Sequence, residues 1–295
     1  MKPGRFAYHA PRALDEALAL LREHADESKV LAGGQSLMPI LNFRLTQIDH
    51  LIDINRIDAA LAEPRFEADT IVIPALVRQR QIERSPEAAR ALPLLVEALA
   101  QVAHPQIRNR GTVCGSLAHA DPAAELPTVM SALEATFTIA SADGVRTLPA
   151  DDFFVFHLTP ALEPDELLLD VRIGRPPANA YSSFREFATR RGDFALGGVA
   201  AICELDDAGV VTKCRVSAAG VGATPRRLHG VEELATGLPL DDELLAAAAE
   251  AVGDDIEPTS DIHASAAYRR RLTGSLVKRA LADVRDRQEA AHDRP

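Results

Sequence analysis

The chain has 295 residues, of which 47% are hydrophobic and 25% charged, and 32 Lys and Arg against 43 Asp and Glu give a net charge of −11. This is an ordinary globular composition, long enough for roughly two domains. The acidic balance and the absence of tryptophan disfavour nucleic acid as the main partner. Three scattered cysteines, Cys114, Cys203 and Cys214, are too few for an iron–sulfur cluster or a structural zinc. An odd, sparse set also favours a reducing compartment over a disulfide framework.

No segment of the sequence is expected to cross a membrane. The longest stretch without a charged residue, 30–43, is interrupted by two glycines and a proline, whereas a spanning helix needs roughly 18 apolar residues. The first residues, 1–9, are not followed by an apolar segment, so a secretory signal is not expected. We therefore expect a cytoplasmic protein with no integral membrane segment.

The first third of the chain alternates helix and strand patterns. Leucines at helical spacing predict an amphipathic helix over 13–24. A short apolar run at 29–31 predicts a strand that ends at a Gly-Gly turn, and a second helix follows over 37–45 with Pro39 in its first turn. Further strands are predicted at 51–54 and 71–73, and a helix opened by Pro93 at 93–102.

Beyond residue 102, the sequence predicts a loop, then a domain boundary, and then a hairpin in the last third. Residues 107–116 lose periodicity and are predicted as a loop, and Arg175-Pro176-Pro177 marks a domain boundary. The turn 206–209 joins two strand-like runs as a hairpin. A small antiparallel sheet backed by helices is therefore expected in the last third. The predicted helices are 124–133, 225–235, 241–252 and 260–289, and the predicted strands are 137–140, 167–173, 199–205 and 210–216.

The first candidate site is the glycine turn Leu31–Ser36, with the sequence LAGGQS. Adjacent glycines permit positive φ and close approach of the backbone to a ligand, and backbone N–H groups with the Ser36 hydroxyl suit a phosphate. The turn matches neither the dinucleotide fingerprint nor the P-loop. Alone, it fits a plain tight turn better than a binding site.

A second candidate site lies at Arg108–Ser116, with the sequence RNRGTVCGS. Small residues, hydroxyl groups and two arginines suit an anionic group, although the arginines are also typical of a solvated loop rim. One extended ligand with a diphosphate would explain both loops.

Five segments, in this order along the chain, carry a resemblance to a known family. The chain resembles the FAD-binding medium subunit of the molybdenum hydroxylases, whose best-known members are aerobic carbon monoxide dehydrogenase and the xanthine dehydrogenase family. Five separated motifs in the same order are more specific than any single glycine loop. The segments are Leu31–Ser36 (LAGGQS), Pro105–Thr112 (PQIRNRGT), His119–Pro127 (HADPAAELP), Arg190–Leu196 (RRGDFAL) and Ser260–Arg270 (SDIHASAAYRR).

The resemblance implies an α+β fold. Two α/β subdomains would clasp FAD, in the type of FAD-binding fold shared with vanillyl-alcohol oxidase, and a C-terminal α+β domain with a small antiparallel sheet and helices would follow. We place an N-terminal FAD-binding subdomain at 1–58, a second FAD-binding subdomain at 59–176 and the C-terminal domain at 177–295.

The resemblance also implies which residues of the two loops would contact FAD. Backbone N–H groups of both loops would wrap the diphosphate, and the hydroxyls of Thr112 and Ser116 would donate to it. The loop contacts implied are Leu31, Ala32, Gly33, Gly34, Gln35 and Ser36, followed by Gly111, Thr112, Val113, Cys114, Gly115 and Ser116.

Five residues outside the loops complete this expected site. By the resemblance, Asp121 and Glu125 would accept hydrogen bonds near the adenosine or ribityl hydroxyls. Leu168 would lie on the strand beside the isoalloxazine, and Arg185 and Phe194 would approach the ring. Phe194 opens an apolar run, so a core position is an equal alternative for it. No catalytic residue and no metal ligand are expected, since neither His104 nor His119 lies in a metal-ligand spacing.

The chain departs from the family pattern at the second loop. Many relatives have Gly-Gly-Asn where this chain has Cys114-Gly115-Ser116, which adds a thiol at a position that is usually bare. Cys114 is either an inert buried cysteine or a solvent-reachable redox thiol. Glu125 replaces a frequent Asp. Three scattered cysteines exclude the branch that carries an additional cluster-binding insert in this subunit.

The resemblance implies an FAD-binding electron-transfer subunit that does not itself oxidise the organic substrate. A small partner subunit with two [2Fe–2S] clusters would deliver electrons, a large molybdopterin-binding subunit would carry out hydroxylation, and the assembly would be a dimer of heterotrimers. One alternative is a self-sufficient FAD-dependent oxidoreductase of the same fold. Another is a nonenzymatic nucleotide-binding scaffold. The run Arg269–Arg271 is either a solvated helix face or a subunit contact.

Overall fold

A computed structural model describes residues 1–253 and 255–292. The strands are β1 (Ala7–His9), β2 (Ser28–Leu31), β3 (His50–Asp53), β4 (Arg65–Phe66), β5 (Thr70–Pro74), β6 (Thr136–Ser141), β7 (Gly144–Pro149), β8 (Phe154–Phe156), β9 (Thr159–Pro160), β10 (Leu167–Gly174), β11 (Ala180–Ala188), β12 (Ala195–Leu205), β13 (Val211–Ala219) and β14 (Arg226–Arg227). The α-helices are α1 (Leu14–His24), α2 (Leu37–Phe43), α3 (Gln79–Glu83), α4 (Pro86–Ala91), α5 (Pro93–Gln101), α6 (Pro105–Arg108), α7 (Val113–His119), α8 (Glu125–Ala132), α9 (Ala150–Phe153), α10 (His229–Ala235), α11 (Asp242–Ala251) and α12 (Ala266–His292). None of these helices is both long and apolar enough to cross a membrane.

The N-terminal part is a three-stranded parallel sheet in the order β1-β3-β2. Side chains of β3 alternate between its faces, because a strand has a period of two. Ile52 joins Leu18 and Leu21 of α1 in one apolar cluster, while Leu51 joins Leu41 of α2 in another. The sheet therefore holds α1 and α2 on opposite sides, and β2 ends at the first glycine turn.

The middle part is a five-stranded antiparallel sheet in the order β4-β5-β10-β6-β7. Ile71 and Ile73 of β5 and Val171 of β10 share one buried core with Leu95 and Leu99 of α5. The short helices α6 and α7 lie between α5 and α8 in the chain, so this core carries the second glycine loop.

The C-terminal part is a four-stranded antiparallel sheet in the order β11-β12-β13-β14. Helix α12 packs on β11 and β12, α10 packs on β13, and α11 packs on the other two helices. Strand β12 is buried on both faces. Ala200 and Ile202 belong to the core of the middle part, whereas Val199 and Ala201 belong to the core formed with the C-terminal helices. This strand therefore joins the C-terminal domain to the part that carries the second loop.

Most predicted elements are confirmed, including the hairpin at 206–209, which joins β12 to β13. The loop predicted at 107–116 is shorter than expected, because α6 ends at Arg108 and α7 begins at Val113, which leaves residues 109–112 between them. The last helix begins at Ala266 and not at residue 260, because the Asp261 carboxylate accepts the N–H groups of His263 and Ala264 in a turn. The helix predicted from residue 225 begins at His229, since β14 pairs with β13 just before it.

Candidate functional site

The two glycine loops meet at Gly33. A Cβ atom on Gly33 would lie 2.6 Å from the carbonyl oxygen of Arg110 and 2.7 Å from the Cα atom of Gly111. Backbone packs directly on backbone at this point, and a side chain of any size would separate the loops. Two segments that are about 75 residues apart in the sequence therefore form one small-residue surface.

The first loop turns sharply after β2. Gly34 has φ +71°, a left-handed conformation that glycine adopts without strain. The side-chain amide of Gln35 donates to the Gly33 carbonyl at 2.8 Å, which closes the turn. Among the described residues, the N–H groups of Gly34, Gln35 and Ser36 donate to no backbone oxygen, and the Ser36 hydroxyl makes no capping bond to α2. This loop therefore presents free donors.

The second loop is held by a short pairing with the segment before α3. The Gln79 N–H donates to the Gly111 carbonyl at 2.9 Å, and the Val113 N–H donates to the Val77 carbonyl at 3.1 Å. Thr112, only 1% exposed, caps α7 by accepting the Gly115 N–H at 2.9 Å. The buried Thr112 side chain therefore fixes the conformation of the loop through this hydrogen bond.

An arginine and an asparagine connect the two loops. The Asn55 side-chain amide donates to the Ala32 carbonyl at 2.8 Å. The Arg78 guanidinium donates to the Asn55 side-chain oxygen and to the Arg110 carbonyl, both at 2.5 Å. The sequence alone does not predict this clamp, although Asp53-x-Asn55 after an apolar run is a typical Asx-turn pattern.

Cys114 points into the core and away from the loop surface. Its side chain is 2% exposed, and its Sγ lies 3.3 Å from the Ile73 carbonyl oxygen. Burial raises the pKa of this thiol far above its usual range, so it stays protonated and unreactive. The redox-thiol alternative is wrong, and only the backbone of Cys114 faces the loop surface.

Three carboxyl groups lie near this part of the fold. Asp121 accepts the Ala123 N–H at 2.9 Å in the turn before α8, and Glu125 begins that helix. Burial raises the pKa of Glu125 to about 7, and the Asp121 charge adds to the effect. Burial likewise raises the pKa of Glu186 to about 8, with the Glu125 charge adding to it. Glu186 was not predicted, and its Oε2 is buried without a hydrogen-bond partner among the described residues.

Phe194 is 78% exposed, so the core alternative for this residue is wrong. It follows the turn at Gly192, which packs against the segment that precedes the second loop. Gly192 has φ +88°, and a Cβ atom there would lie 2.5 Å from the His104 ring. An exposed aromatic ring is therefore carried on a turn that rests against the segment just before α6.

Two family models match the chain. Residues 4–176 match the FAD binding domain in molybdopterin dehydrogenase, and residues 182–284 match the CO dehydrogenase flavoprotein C-terminal domain. Subunit alpha of the 6-hydroxypseudooxynicotine dehydrogenase complex of Paenarthrobacter nicotinovorans is 42% identical over 96% of this chain and 95% of that protein. The carbon monoxide dehydrogenase medium chain of Hydrogenophaga pseudoflava is 37% identical over 95% of this chain and 97% of that protein.

A solved structure agrees with these matches. A chain of carbon monoxide dehydrogenase from Hydrogenophaga pseudoflava, in a form that lacks the Mo-pyranopterin moiety of its cofactor, superposes with a TM-score of 0.93. It is 37% identical, and the match covers 97% of this chain and 99% of that one. This chain belongs to the FAD-binding medium subunits of the molybdenum hydroxylases.

The loop surface of this FAD subunit fits a diphosphate-containing cofactor. The backbones of Gly33, Arg110 and Gly111 meet in one cradle, since a Cβ atom on Gly33 would strike the other two residues. The free N–H groups of the first loop, and the Cys114 N–H, which donates to no backbone oxygen among the described residues, are suitable donors to an anion. The exposed Arg110 side chain adds positive charge at the rim.

Leu168 and Arg185 of this FAD subunit make their contacts away from the two glycine loops. Leu168 lies on β10 in the middle core and is buried. The Arg185 guanidinium forms a two-point ion pair with Asp283 of α12, at 2.5 Å for both bonds. Ser183 bonds the same carboxylate, so this face of β11 meets α12. Since side chains alternate along a strand, Glu186 lies on the opposite face.

Two arginines of the recognised motifs have structural roles in this subunit. Buried Arg108 pairs with Glu83 at 2.8 Å and 2.9 Å, so it is not available to an anion at the second loop. Buried Arg269 donates to the Leu196 carbonyl at 2.8 Å and to Asp261 at 2.7 Å, so the solvated-face interpretation is wrong for it. These bonds tie α12 to the start of β12, next to Phe194.

Proposed function

We propose that this chain is the electron-transfer subunit of a molybdenum hydroxylase: its FAD takes electrons from two [2Fe–2S] clusters of a small subunit and passes them to an external acceptor. In this proposal a large molybdopterin-binding subunit oxidises the organic substrate. The observation that carries the proposal is the packing of Gly33 on Arg110 and Gly111, which makes one cradle from two distant loops. When bound, FAD accepts and releases electrons singly or in pairs.

The cofactor would lie between the subdomain 1–58 and the subdomain 59–176, with the domain 177–295 supplying Phe194 to cover the ring. We assign the diphosphate to backbone N–H groups of both loops and to the Ser36 and Ser116 hydroxyls, and the adenosine or ribityl hydroxyls to Asp121 and Glu125. The loop residues in this proposal are Leu31, Ala32, Gly33, Gly34, Gln35 and Ser36, and Gly111, Thr112, Val113, Cys114, Gly115 and Ser116.

The remaining residues would orient the site. Thr112 holds the second loop by its cap, which is why its buried side chain serves the site indirectly. Arg185 fixes β11 against α12 through Asp283, and Leu168 supports the sheet beneath. Glu186 holds a proton near neutral pH, because an ionised carboxylate in its buried position would lack a partner.

Exposed apolar side chains support the assignment of a role within an assembly. Phe43 and Leu45 are exposed at the end of α2, and Val155, Phe156 and Leu158 are exposed on the β8–β9 hairpin. Exposed apolar groups of this size are typical of surfaces that meet a partner. We propose that they contact the large and small subunits in a dimer of heterotrimers in the cytoplasm.

The experiment uses this chain loaded with FAD and the small subunit reduced with a limiting amount of dithionite. Mixing the two without oxygen is expected to bleach the flavin absorbance while the cluster absorbance recovers. A flavin that stays oxidised beside reduced clusters would contradict the proposed relay.

A second experiment distinguishes an electron-transfer subunit from a self-sufficient oxidoreductase. The FAD-loaded chain alone is mixed with carbon monoxide, a purine, a nicotinate-like heterocycle or an aldehyde. We expect no flavin reduction by any of them, because the chain is proposed to contain no substrate-oxidising centre. Substrate-dependent bleaching of the isolated chain would favour the self-sufficient oxidoreductase.

A further inference from the structure

Three histidines from separate elements come together beside the N-terminal sheet. His9 is the last residue of β1, His24 is the last residue of α1, and His50 is the first residue of β3. Each offers one ring nitrogen, and the three nitrogens all lie within 4.8 Å of one another. All three side chains are half-buried, so the cluster is open enough for an ion to enter.

The contacts within this histidine cluster leave ring nitrogens available. His9 Nε2 lies 2.9 Å from His50 Nδ1, and the His24 and His50 rings stack with centroids 3.5 Å apart. Among the described residues, no carboxylate or carbonyl accepts a hydrogen bond from any of the three rings. The rings are therefore held together without the partners that usually neutralise or fix grouped histidines.

Three imidazoles this close together suit a cation. Neutral imidazole is the form that binds a metal, because its lone pair is free.

We propose that His9, His24 and His50 form a site for a divalent transition-metal ion of the zinc type. Imidazole nitrogen is a preferred ligand of zinc, copper and nickel. Zinc–nitrogen bonds of about 2.0–2.1 Å place two tetrahedral ligands about 3.4 Å apart. The three nitrogens lie within 4.8 Å of one another, so binding requires the His24 and His50 rings to leave their stacked arrangement and move closer together. Three histidines with water in the fourth position complete a known coordination set.

The ion would clamp β1, α1 and β3 to one another. Strand β3 runs from His50 at the cluster to Asp53, which bonds Asn55 under the first glycine loop. His50 lies three residues, about 10 Å, before Asp53 on β3. Its neighbour on β2 is Ser28, at the opposite end of that strand from the first glycine loop. Loss of the ion is therefore expected to lower the thermal stability of the chain and to leave its FAD content unchanged.

The experiment titrates ZnCl₂ into the full-length chain, made without a polyhistidine tag and stripped with EDTA, by calorimetry. The wild-type chain is expected to bind one Zn²⁺ per chain, and Co²⁺ in its place is expected to give the visible absorption of a nitrogen-ligated site. His24→Gln and His50→Gln are each expected to weaken Zn²⁺ binding by about 100-fold, as loss of one of three ligands removes a bond.

The matched control is His263→Gln, which removes an exposed histidine of the C-terminal domain. It is expected to bind Zn²⁺ as the wild type does. Wild-type FAD content shows that each variant is folded, and His24→Gln at the helix end serves if His50→Gln fails to fold. Absence of saturable Zn²⁺ binding by the wild type would overturn the proposal, as would equal binding by the folded His24 and His50 variants.

Discussion

Gly33 has the most restrictive environment in the proposed cradle. Its Cα packs on the backbone at Arg110 and Gly111, and no flexible side chain is present there to give way. We expect Gly33→Ala to push the loops apart, to cost about 1–3 kcal/mol of stability and to lower the FAD content of the purified chain. The FAD-to-chain absorbance ratio measures this effect.

Gly174→Ala is the matched control for this prediction. A Cβ atom at Gly174 would meet nothing within 4 Å, and its φ is not positive. The control is therefore expected to keep wild-type stability and FAD content. Equal FAD content in the Gly33 and Gly174 variants would show that the contact between the loops does not shape the cofactor site.

Glu186 makes the stability of the chain depend on pH. Burial raises its pKa from 4.5 to about 8, so the folded chain retains a proton that the unfolded chain loses. The stabilising contribution is full below about pH 4.5 and is lost as the pH rises through about 8. From pH 5 to pH 9, the free energy of unfolding of Glu186→Gln is expected to rise by about 1–2 kcal/mol relative to that of the wild type, after allowance for the partial exposure of the side chain.

Urea unfolding of the full chain at the two pH values measures this gain. Glu233→Gln, at an exposed helical position, is the control and is expected to show no such difference. If the free-energy difference between the wild type and Glu186→Gln were equal at both pH values, the carboxyl would have an ordinary pKa.

The sequence predicts residue types at this site better than it predicts their orientation. The two glycine turns could be predicted as a site because they occur together with three further family motifs in the same order. The inward direction of Cys114 and the pairing of Arg185 with Asp283 depend on packing between distant elements. Glu186 could not be predicted, since its altered pKa arises only from burial beside Glu125.

At the scale of elements, α7 depends on its cap. The Thr112 hydroxyl accepts the Gly115 N–H, and a Cβ atom on Gly115 would lie 2.6 Å from that hydroxyl oxygen. Thr112→Ala is expected to lower the free energy of unfolding by about 1 kcal/mol, as an N-cap is lost, and to lower FAD content with it. Thr112→Ser keeps the cap and is expected to keep most of both. Identical unfolding curves for the Ala and Ser variants would contradict this role.

Helix α12 is fixed to the sheet by a buried arginine. Arg269 bonds the Leu196 carbonyl and the Asp261 carboxylate, and both would lose a donor in Arg269→Gln. We expect this variant to lose about 2–4 kcal/mol of stability in urea unfolding. Arg271→Gln, at an exposed position of the same helix, is expected to change stability by less than about 0.5 kcal/mol. Equal effects of the two variants would contradict the buried role of Arg269.

Long periodic elements could be predicted from the sequence, and short ones could not. Helices α1, α5 and α11 show clear patterns, because each buries one apolar stripe. Helices α6 and α7 are a turn or two long, and their backbone is determined by Thr112 and by pairing with the segment before α3. Strand β11 was missed because its polar face is covered by α12, which no local pattern reveals.

At the scale of the whole molecule, the proposed site depends on the joining of three parts. The first loop follows the N-terminal sheet, the second loop lies in the middle core, and Phe194 is carried by the C-terminal domain. Strand β12 fixes the position of the C-terminal domain, because its side chains contribute to both the middle core and the C-terminal core. The order of motifs in the sequence predicts such an assembly. The histidine cluster could not be predicted, because its three residues are far apart in the chain and only the fold brings them together.

The central claim is that the two glycine loops hold one FAD in each chain. The most direct measurement is the ratio of FAD to chain in the complex purified with its partner subunits, read from the flavin absorbance near ~450 nm after denaturation. We predict one FAD per chain. A folded and assembled complex that contains no FAD would contradict the claim.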